Sequence, residues 1–398
     1  MEGRTGPAAQ RGQGEKIFCT RCIYNEDTPG IHFDEEGMCN YCKLYDEMNR
    51  QYPIGEEGDK VLRELAAKIR RGGKRKPFDV VIGVSGGCDS SFLLYKAKEL
   101  GLRPLAVHYD NTWNSNIATE NIRNVLKHLD VELYTHVVDN EVANDIYRAF
   151  LQAGILEIDI PTDIALATTI YMAAARYGIK YSFEGHSFRT EGVSPLGWAY
   201  MDAKYIQDVV RRYGHYKEHK LKTFPNLWLT TFLRYMLVNR IKRIRPLYWM
   251  DYDKDEAKKM LAEKFDWQWY GGHHLENRIT AFMHSYLLPT RGRIDQRSNG
   301  FSALIRSGQI SREEGMRCMA EPPHLEADIL DVVKKRLSFS DEEFEQVMTQ
   351  PIKTFREFKT YKSTFERMRP FFWLMYKMDL VPRSFYVKFA CKVDPTRK

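Results

Sequence analysis

The feature of this chain that most restricts its fold is a regular alternation of strand-like and helix-like segments between residues 78 and 187. Residues 80–84 form a continuous apolar run, which is typical of a strand covered on both faces of a sheet. The other segments of the alternation are strand-like at residues 103–109, 131–138 and 180–184, and helix-like at residues 90–100, 116–129 and 163–177. This order predicts an α/β domain with a doubly wound parallel sheet.

A short glycine-containing loop connects the first predicted strand to its helix. Glycines let backbone N–H groups approach a phosphate closely, and a helix N-terminus favours an anion. The loop lacks the lysine and the spacing of the G-x-x-x-x-G-K-[ST] motif. Asp89 repels an anion unless a cation bridges them, so we predict Mg²⁺ there. The predicted phosphate-binding residues are Ser85, Gly86, Gly87, Asp89 and Ser90. The alternative is an ordinary Gly-Gly turn that leads into a helix.

Polar residues and glycines also follow the other predicted strands. Asp110 comes after the second strand, Asp139 after the third and Gly185 after the fourth. In open α/β sheets, ligands bind outside the carboxyl ends of the strands. Each of these residues on its own also suits a plain turn, but together they predict one crevice at this edge of the sheet.

Four of the seven cysteines lie close together near the N-terminus. They form two Cys-x-x-Cys pairs, Cys19 with Cys22 and Cys39 with Cys42. Four thiolates at this spacing predict a structural tetrahedral Zn²⁺ site with no open position. An iron–sulfur cluster and reduced, metal-free cysteines are the alternatives. The clustering and the odd total favour a reducing compartment over a disulfide framework.

Beyond residue 197 the sequence becomes helical, aromatic and basic, with helix-like segments at residues 199–213, 224–241, 254–264 and 339–348. Within this half, the run 270–276 contains His273, His274 and Glu276. We interpret His274 and Glu276 as residues that position a substrate or move a proton, with helix capping and packing as the alternative. Because neighbouring side chains on a helix diverge, a two-histidine metal site is not expected there.

Three arginines surround a glycine turn further along the helical half: Arg291, Arg293 and Arg297. The planar guanidinium group suits recognition of a diphosphate or a carboxylate. These arginines are therefore candidate substrate-binding residues, although a solvated basic loop explains them equally well.

These motifs resemble those of two related groups of proteins. The loop matches the S-G-G-x-D-S signature of the PP-loop ATP pyrophosphatase superfamily. The cysteine ribbon, the Gly-Gly-x-His-x-Glu run at 271–276 and the Ser-Gly-Gln-Ile-Ser-Arg-Glu-Glu run at 307–314 narrow the resemblance. Together they are similar to the N-acetyl sugar amidotransferases of bacterial surface-polysaccharide synthesis, over nearly the whole chain from Cys19 onward.

The resemblance implies that ATP is cleaved to AMP and pyrophosphate, with the pyrophosphate held in the loop. It places Asp110 near the nucleoside and Gly185 near the adenine or ribose. The candidate catalytic residues are Ser85, Asp89, His274 and Glu276. The chain departs from the family pattern at His273, where a lysine is expected, and at residues 291–293, which replace a Lys-Phe-Gly-like segment.

For this family the implied reaction replaces an oxygen with nitrogen. AMP is transferred onto the N-acetyl oxygen of a nucleotide-linked or related sugar, and ammonia then displaces AMP to give an acetamidino sugar for lipopolysaccharide or O-antigen. Amidation of a uronic acid to a uronamide uses the same chemistry and is the close alternative. A tRNA thiolation enzyme and a non-enzymatic zinc-ribbon module are more distant alternatives.

The ammonia donor is predicted to be a separate glutaminase, with a tunnel-forming barrel subunit as a further partner. The chain begins Met1-Glu2, so a glutaminase with an N-terminal cysteine is not expected within it. A net charge of +7 is modest for a nucleic-acid-binding protein, so this chain is not expected to bind nucleic acid. The sequence shows neither a signal peptide nor a transmembrane run, which predicts a cytoplasmic protein.

The predicted organisation has five parts. They are a disordered leader (1–16), a zinc ribbon (17–45), a linker with a helix (46–77), the ATP-binding domain (78–197) and a helical substrate or partner domain (198–398).

Overall fold

The computed structural model describes residues 16–193, 200–216 and 218–392. The predicted leader lies outside the described residues except for Lys16, and so does the domain boundary predicted at 197–198. Both therefore stay predictions.

A five-stranded sheet forms the centre of the region predicted to bind ATP, and its last strand comes from the second half of the chain. Its strands are β1 Val80–Gly83, β2 Pro104–Asp110, β3 Leu133–Val137, β4 Tyr181–Phe183 and β5 Lys242–Ile244. Their order is β3-β2-β1-β4-β5, and every neighbouring pair is parallel. The prediction of a doubly wound parallel sheet is thus confirmed. Strand β5 was not predicted, because three residues that include Lys242 and Arg243 carry too weak an apolar signal.

The helices of the first half are α1 Asn40–Gln51, α2 Glu56–Gly73, α3 Cys88–Glu99, α4 Asn116–Leu129, α5 Asn140–Gln152 and α6 Ile160–Arg176. Those of the second half are α7 Ala203–Tyr213, α8 Leu229–Leu233, α9 Lys254–Phe265, α10 Arg278–Phe282, α11 Arg297–Ser307, α12 Arg312–Ala320, α13 Ile329–Arg336, α14 Asp341–Thr349, α15 Lys362–Arg367, α16 Arg369–Lys377 and α17 Arg383–Phe385. The mostly helical character predicted for the second half is confirmed.

Alternate residues of β1 face opposite layers of helices. Val80 and Ile82 belong to an apolar cluster with α3, α4 and α9, whereas Val81 packs with α6 and C-terminal helices. All three valine and isoleucine side chains are fully buried. Coverage on both faces explains why β1 reads as a continuous apolar run and not as an alternating one.

Two predicted helices differ from the observed ones. The helix predicted at residues 224–241 is shorter in the structure, where it consists of α8 and a π-helical turn Arg234–Val238, and strand β5 follows it. The helix predicted at residues 163–177 begins earlier, at Ile160, with Pro161 in its first turn, where the missing N–H costs nothing. Helix α5 was not predicted, although Asp139 caps its N-terminus by accepting a hydrogen bond from the Glu141 N–H.

None of the helices in the described part of the chain combines the length and apolar character that a bilayer span requires.

The loop after β4 is anchored by one buried arginine. The Arg189 side chain donates to Asn49 Oδ1 and to the carbonyl oxygens of Tyr248 and Tyr52, each at 2.7 Å. Its guanidinium group also lies 4.4 Å from the centre of the Phe188 ring. Arg189 thus ties the β4 loop to the end of α1 and to the segment that precedes α9.

We predict that Arg189→Met lowers the free energy of unfolding by about 2–4 kcal/mol, because one buried and two partly buried acceptors lose their charged donor. Urea denaturation followed by circular dichroism measures this. The control is Arg317→Met, since Arg317 is exposed and its ion pairs are with exposed carboxylates, so its loss should have little effect on stability. Equal effects of the two substitutions would contradict the anchoring role.

Candidate functional site

The turn between β1 and α3 has the geometry of an anion-binding loop. Gly86 has a φ of +84°, and a Cβ there would lie 2.3 Å from the Ala118 carbonyl oxygen, so only glycine fits. The Gly86 carbonyl accepts hydrogen bonds from Trp267 Nε1 at 3.0 Å and Asn121 Nδ2 at 3.2 Å. With this carbonyl turned inward and held, the N-terminus of α3 is left facing the crevice.

The end of β4 lies directly beside this loop. A Cβ on Gly185 would lie 3.4 Å from the Ser90 nitrogen, which is ordinary contact distance. The Ser90 hydroxyl donates to the Gly87 carbonyl at 3.3 Å, within the loop itself. Asp110, at the end of β2, accepts a hydrogen bond from the Thr112 N–H at 2.7 Å. The nucleoside contacts predicted for Asp110 and Gly185 stay predictions.

A lysine from the second half of the chain reaches the loop aspartate. Lys254, the first residue of α9, places its Nζ 3.0 Å from Asp89 Oδ2, and the Tyr252 hydroxyl donates to Asp89 Oδ1 at 2.6 Å. Burial disfavours the charged ammonium group, but the carboxylates of Asp89 and Glu191 outweigh it and raise the pKa of Lys254. The loop motif contains no lysine, yet the tertiary structure supplies one.

Glu276 also reaches the loop. The Ser85 hydroxyl donates to Glu276 Oε1 at 2.9 Å, across a separation of 191 residues. Glu276 is only 8% exposed, and its Oε2 has no hydrogen-bond partner among the described residues. A Cβ on Gly87 would lie 3.1 Å from Glu276 Oε1. A carboxylate this close to a bound polyphosphate would repel it, so the arrangement suits an anion that arrives with a bridging cation.

The sequence pattern predicted that the two histidines of the 270–276 run lie on a helix, and this prediction is wrong. They lie in a loop in which His274 has a left-handed φ of +62°. The centres of the His273 and His274 rings are 3.7 Å apart, so the side chains converge instead of diverging. The His273 side chain is 37% exposed, but desolvation by the surrounding protein, together with the neighbouring His274 and Lys254, holds its pKa well below the usual value.

Glu191, from the loop after β4, lies next to these histidines and was not predicted. His186 Nδ1 lies 2.6 Å from Glu191 Oε2, and His273 Nε2 lies 3.6 Å from Glu191 Oε1. No sequence motif marks Glu191, because its neighbours His273 and Lys254 lie far from it in the chain.

Three carboxyl groups, those of Glu157, Asp159 and Asp163, lie near the start of α6, and the last two interact electrostatically with His274. The Thr280 hydroxyl donates to Asp159 Oδ2 at 2.8 Å, while Asp159 Oδ1 has no partner among the described residues. Burial raises the pKa of Glu157 to about 7. These groups can accept or donate hydrogen bonds to a polar ligand near neutral pH.

The three candidate arginines do not converge on one point. Arg291 donates to the Gln350 carbonyl at 2.5 Å, and Arg293 is exposed with a left-handed φ of +52°. Arg297 pairs with Asp295 at 2.7 Å and also donates to backbone carbonyl oxygens. Their substrate-binding role stays a prediction, and the pairing of Arg297 is fully explained by local structure.

The four N-terminal cysteines form a buried cluster. The Sγ–Sγ distances are 3.8 Å for Cys19–Cys42, 3.8 Å for Cys22–Cys39 and 3.6 Å for Cys39–Cys42. A tetrahedron of thiolates around Zn²⁺ has edges of about 3.8 Å, so the residues present fit this ion.

An arginine of α11 supports the cluster from the second half of the chain. Arg306, which is 6% exposed, donates to Cys22 Sγ at 3.2 Å and to Cys42 Sγ at 3.3 Å. Arg312 donates to the carbonyl oxygens of Cys22 and Cys19, each at 3.3 Å. A positive charge against two sulfur atoms stabilises their ionised, metal-binding form.

Comparison with known proteins adds a family relationship. Residues 276–371 match a family model described as "LPS biosynthesis protein WbpG-like, C-terminal domain". This chain resembles the WbpG-like proteins. The predicted resemblance to proteins of bacterial surface-polysaccharide synthesis is thus confirmed. The WbpG-like region begins at Glu276, the partner of Ser85, and includes Arg306 and Arg312, the partners of the cysteine cluster.

Other similarities cover different parts of the chain. An uncharacterized protein of Methanocaldococcus jannaschii, MJ1599, is 26% identical over 170 residues, which are 42% of this chain. The match spans 58% of the length of that curated relative.

Two solved structures are similar at 13% identity and a TM-score of 0.32 each. They are the NMN synthetase of Francisella tularensis, covering 75% of this chain and 97% of that one, and the NH3-dependent NAD synthetase of Campylobacter jejuni, covering 74% and 97%. Since these TM-scores are low, the fold described above rests on the strand order of this chain itself.

We predict that the purified protein holds one tightly bound zinc ion in the cysteine cluster. Cys39→Ser should remove that ion, because one tetrahedral ligand is lost, and should loosen residues 16–45. Mass spectrometry of the metal content and limited proteolysis measure the two effects. The control is Cys391→Ser, which changes a cysteine outside the cluster and should leave the zinc in place.

Proposed function

We propose that this chain is an ATP-dependent amidotransferase of lipopolysaccharide or related surface-glycan biosynthesis. The observation that carries the proposal is the hydrogen bond from Ser85 to Glu276. It joins a loop suited to a polyphosphate to the first residue of the WbpG-like region. ATP activation and the glycan substrate would therefore meet in one crevice.

The loop and its neighbours supply the groups that ATP needs. The N-terminus of α3 presents backbone N–H groups to the phosphates, and Ser85 adds a hydroxyl group. Asp89 and Glu276 are the residues that would hold Mg²⁺, which when bound would neutralise phosphate charge. The unpartnered Oε2 of Glu276 supports this assignment, since a buried carboxylate oxygen without a partner is costly.

Lys254 would stabilise the departing pyrophosphate. Its ammonium group lies beside the loop, paired with Asp89, and its raised pKa keeps it protonated at neutral pH. A polyphosphate in the loop offers the ammonium group a second anionic partner. Positive charge held where negative charge develops lowers the barrier to departure.

The proposed reaction has two steps. The N-acetyl oxygen of a nucleotide-linked sugar attacks the α-phosphorus of ATP, and pyrophosphate leaves. Ammonia then adds to the activated carbon, loses a proton, and AMP departs with the oxygen, which leaves an acetamidino group. Glu157, Asp159 and Asp163 line the crevice where sugar hydroxyl groups can be bound. A separate glutaminase is the proposed source of ammonia.

The thiolation alternative requires a reactive cysteine next to the loop. Cys88 is the nearest cysteine, and it is fully buried against Tyr252. Burial raises the pKa of its thiol to about 12, so it is protonated and a poor nucleophile. Cys88 is therefore a spacer and packing residue in the proposed mechanism.

The proposal predicts that AMP and pyrophosphate are released in equal amounts when ATP, Mg²⁺, ammonium and the correct sugar are all present. A panel of UDP-linked N-acetyl sugars and uronic acids, each with and without ammonium, tests this. NMR of the product distinguishes an amidine from a uronamide. Release with no sugar of the panel, but with tRNA and a sulfur donor, would overturn the proposal. Activity with glutamine alone would refute the separate glutaminase.

We also predict that Lys254→Met lowers kcat about 100-fold or more, because the charge that stabilises the leaving pyrophosphate is lost. Steady-state pyrophosphate release measures the change. Lys258→Met is the matched control, since Lys258 lies on the same helix but pairs with exposed Asp255. A Lys254→Met enzyme with unchanged kcat would remove Lys254 from the mechanism.

A further inference from the structure

A second group of metal-ligating side chains lies in the crevice, apart from the cysteine cluster. We propose that Glu191, His273 and His274 form a binding site for a transition-metal dication. One ligand atom from each residue lies within 4.8 Å of the other two. The inference concerns metal binding alone and does not depend on the reaction proposed above.

The distances require only a small closure of the side chains. A dication bound to nitrogen and oxygen atoms at about 2.0–2.2 Å holds its ligands about 3–3.5 Å apart. His273 Nε2 and Glu191 Oε1 are already 3.6 Å apart. The left-handed backbone of His274 brings its ring against that of His273, so both imidazoles are available on one side. Rotation of the side chains therefore completes the site without moving the backbone.

The carboxylate of Glu191 is oriented by His186. His186 Nδ1 holds Glu191 Oε2 at 2.6 Å, which leaves Oε1 directed at His273. The Glu191 side chain is only 13% exposed, so it cannot turn freely into solvent. Metal ligands in proteins are commonly held by such a second residue, because this fixes their direction before the ion arrives.

The ligand types select the ion. Two imidazoles and one carboxylate suit Zn²⁺, Mn²⁺, Fe²⁺ or Co²⁺, whereas Mg²⁺ prefers oxygen ligands alone. Three protein ligands leave coordination positions open for water or for a substrate oxygen. This arrangement differs from the closed site of four thiolates.

Lys254 opposes metal binding at this site. Its Nζ lies 3.2 Å from His273 Nδ1 and 3.9 Å from Glu191 Oε1. The ammonium group repels a dication, so metal binding requires Lys254 to move away from His273 and Glu191 while it keeps its ion pair with Asp89. Lys254 thereby links the metal site to the predicted phosphate-binding loop, residues 85–90.

The test measures the metal content of the full-length protein produced in zinc-depleted medium supplemented with Co²⁺, so that cobalt occupies both sites, after passage over a competing chelator. We expect two equivalents in the wild type. One has the intense sulfur-to-cobalt absorption of the cysteine site, and the other has only weak visible bands. His274→Ala and Glu191→Gln should each lose the second equivalent and keep the sulfur bands, which also shows that they fold. His128→Ala, which changes an exposed histidine on α4, should keep both.

Removal of the positive charge of Lys254 should strengthen metal binding at this site. Lys254→Met should bind the second equivalent about tenfold more tightly, because the repulsion is gone. A wild type that holds one equivalent, or His274→Ala and Glu191→Gln variants that both hold two, would overturn the proposal. Unchanged affinity in Lys254→Met would overturn the link to the phosphate loop.

Discussion

All five strands of the sheet run parallel, so each of the loops that follow their carboxyl ends leaves at the same edge. The rest of the site depends on this constraint. The parallel order brings three segments to one edge of the sheet: the loop of residues 85–90 after β1, Asp110 after β2 and the Gly185–Glu191 segment after β4. The second half of the chain then covers the crevice and adds Lys254 and Glu276, which the sheet domain lacks.

The charges in this crevice are arranged around a single lysine. Lys254 lies between Asp89 on the loop and Glu191 behind it, with His273 as a third neighbour. A buried ammonium group surrounded by carboxylates is stable only while these anions stay close. In the proposed scheme, an incoming polyphosphate or dication would change the position of the lysine and so couple the two parts of the crevice.

The cysteine cluster and the WbpG-like region depend on each other. The ribbon is too short to build its own apolar core, so ionised sulfur atoms and a metal ion would have to stabilise it. Arg306 contributes positive charge to two of those sulfur atoms, and Arg312 binds the carbonyl groups of the knuckle. Loss of the metal would consequently disturb α11, which also contacts the β4 loop through the hydrogen bond from Ser307 to the Arg189 carbonyl.

The sequence by itself determined the parallel sheet, the glycine loop after β1 and the four-cysteine cluster, because each is marked by a local pattern of apolar runs, glycines or spacing. Only the tertiary structure revealed Lys254, Glu191 and Arg306, since their partners lie far away in the chain; Lys254 and Asp89 are 165 residues apart. The close approach of His273 and His274 could not be predicted from the sequence either. Their convergence depends on one left-handed residue, His274, in a loop whose path is set by packing against distant segments. Contacts of this kind arise from the folded path of the chain, which local patterns do not encode.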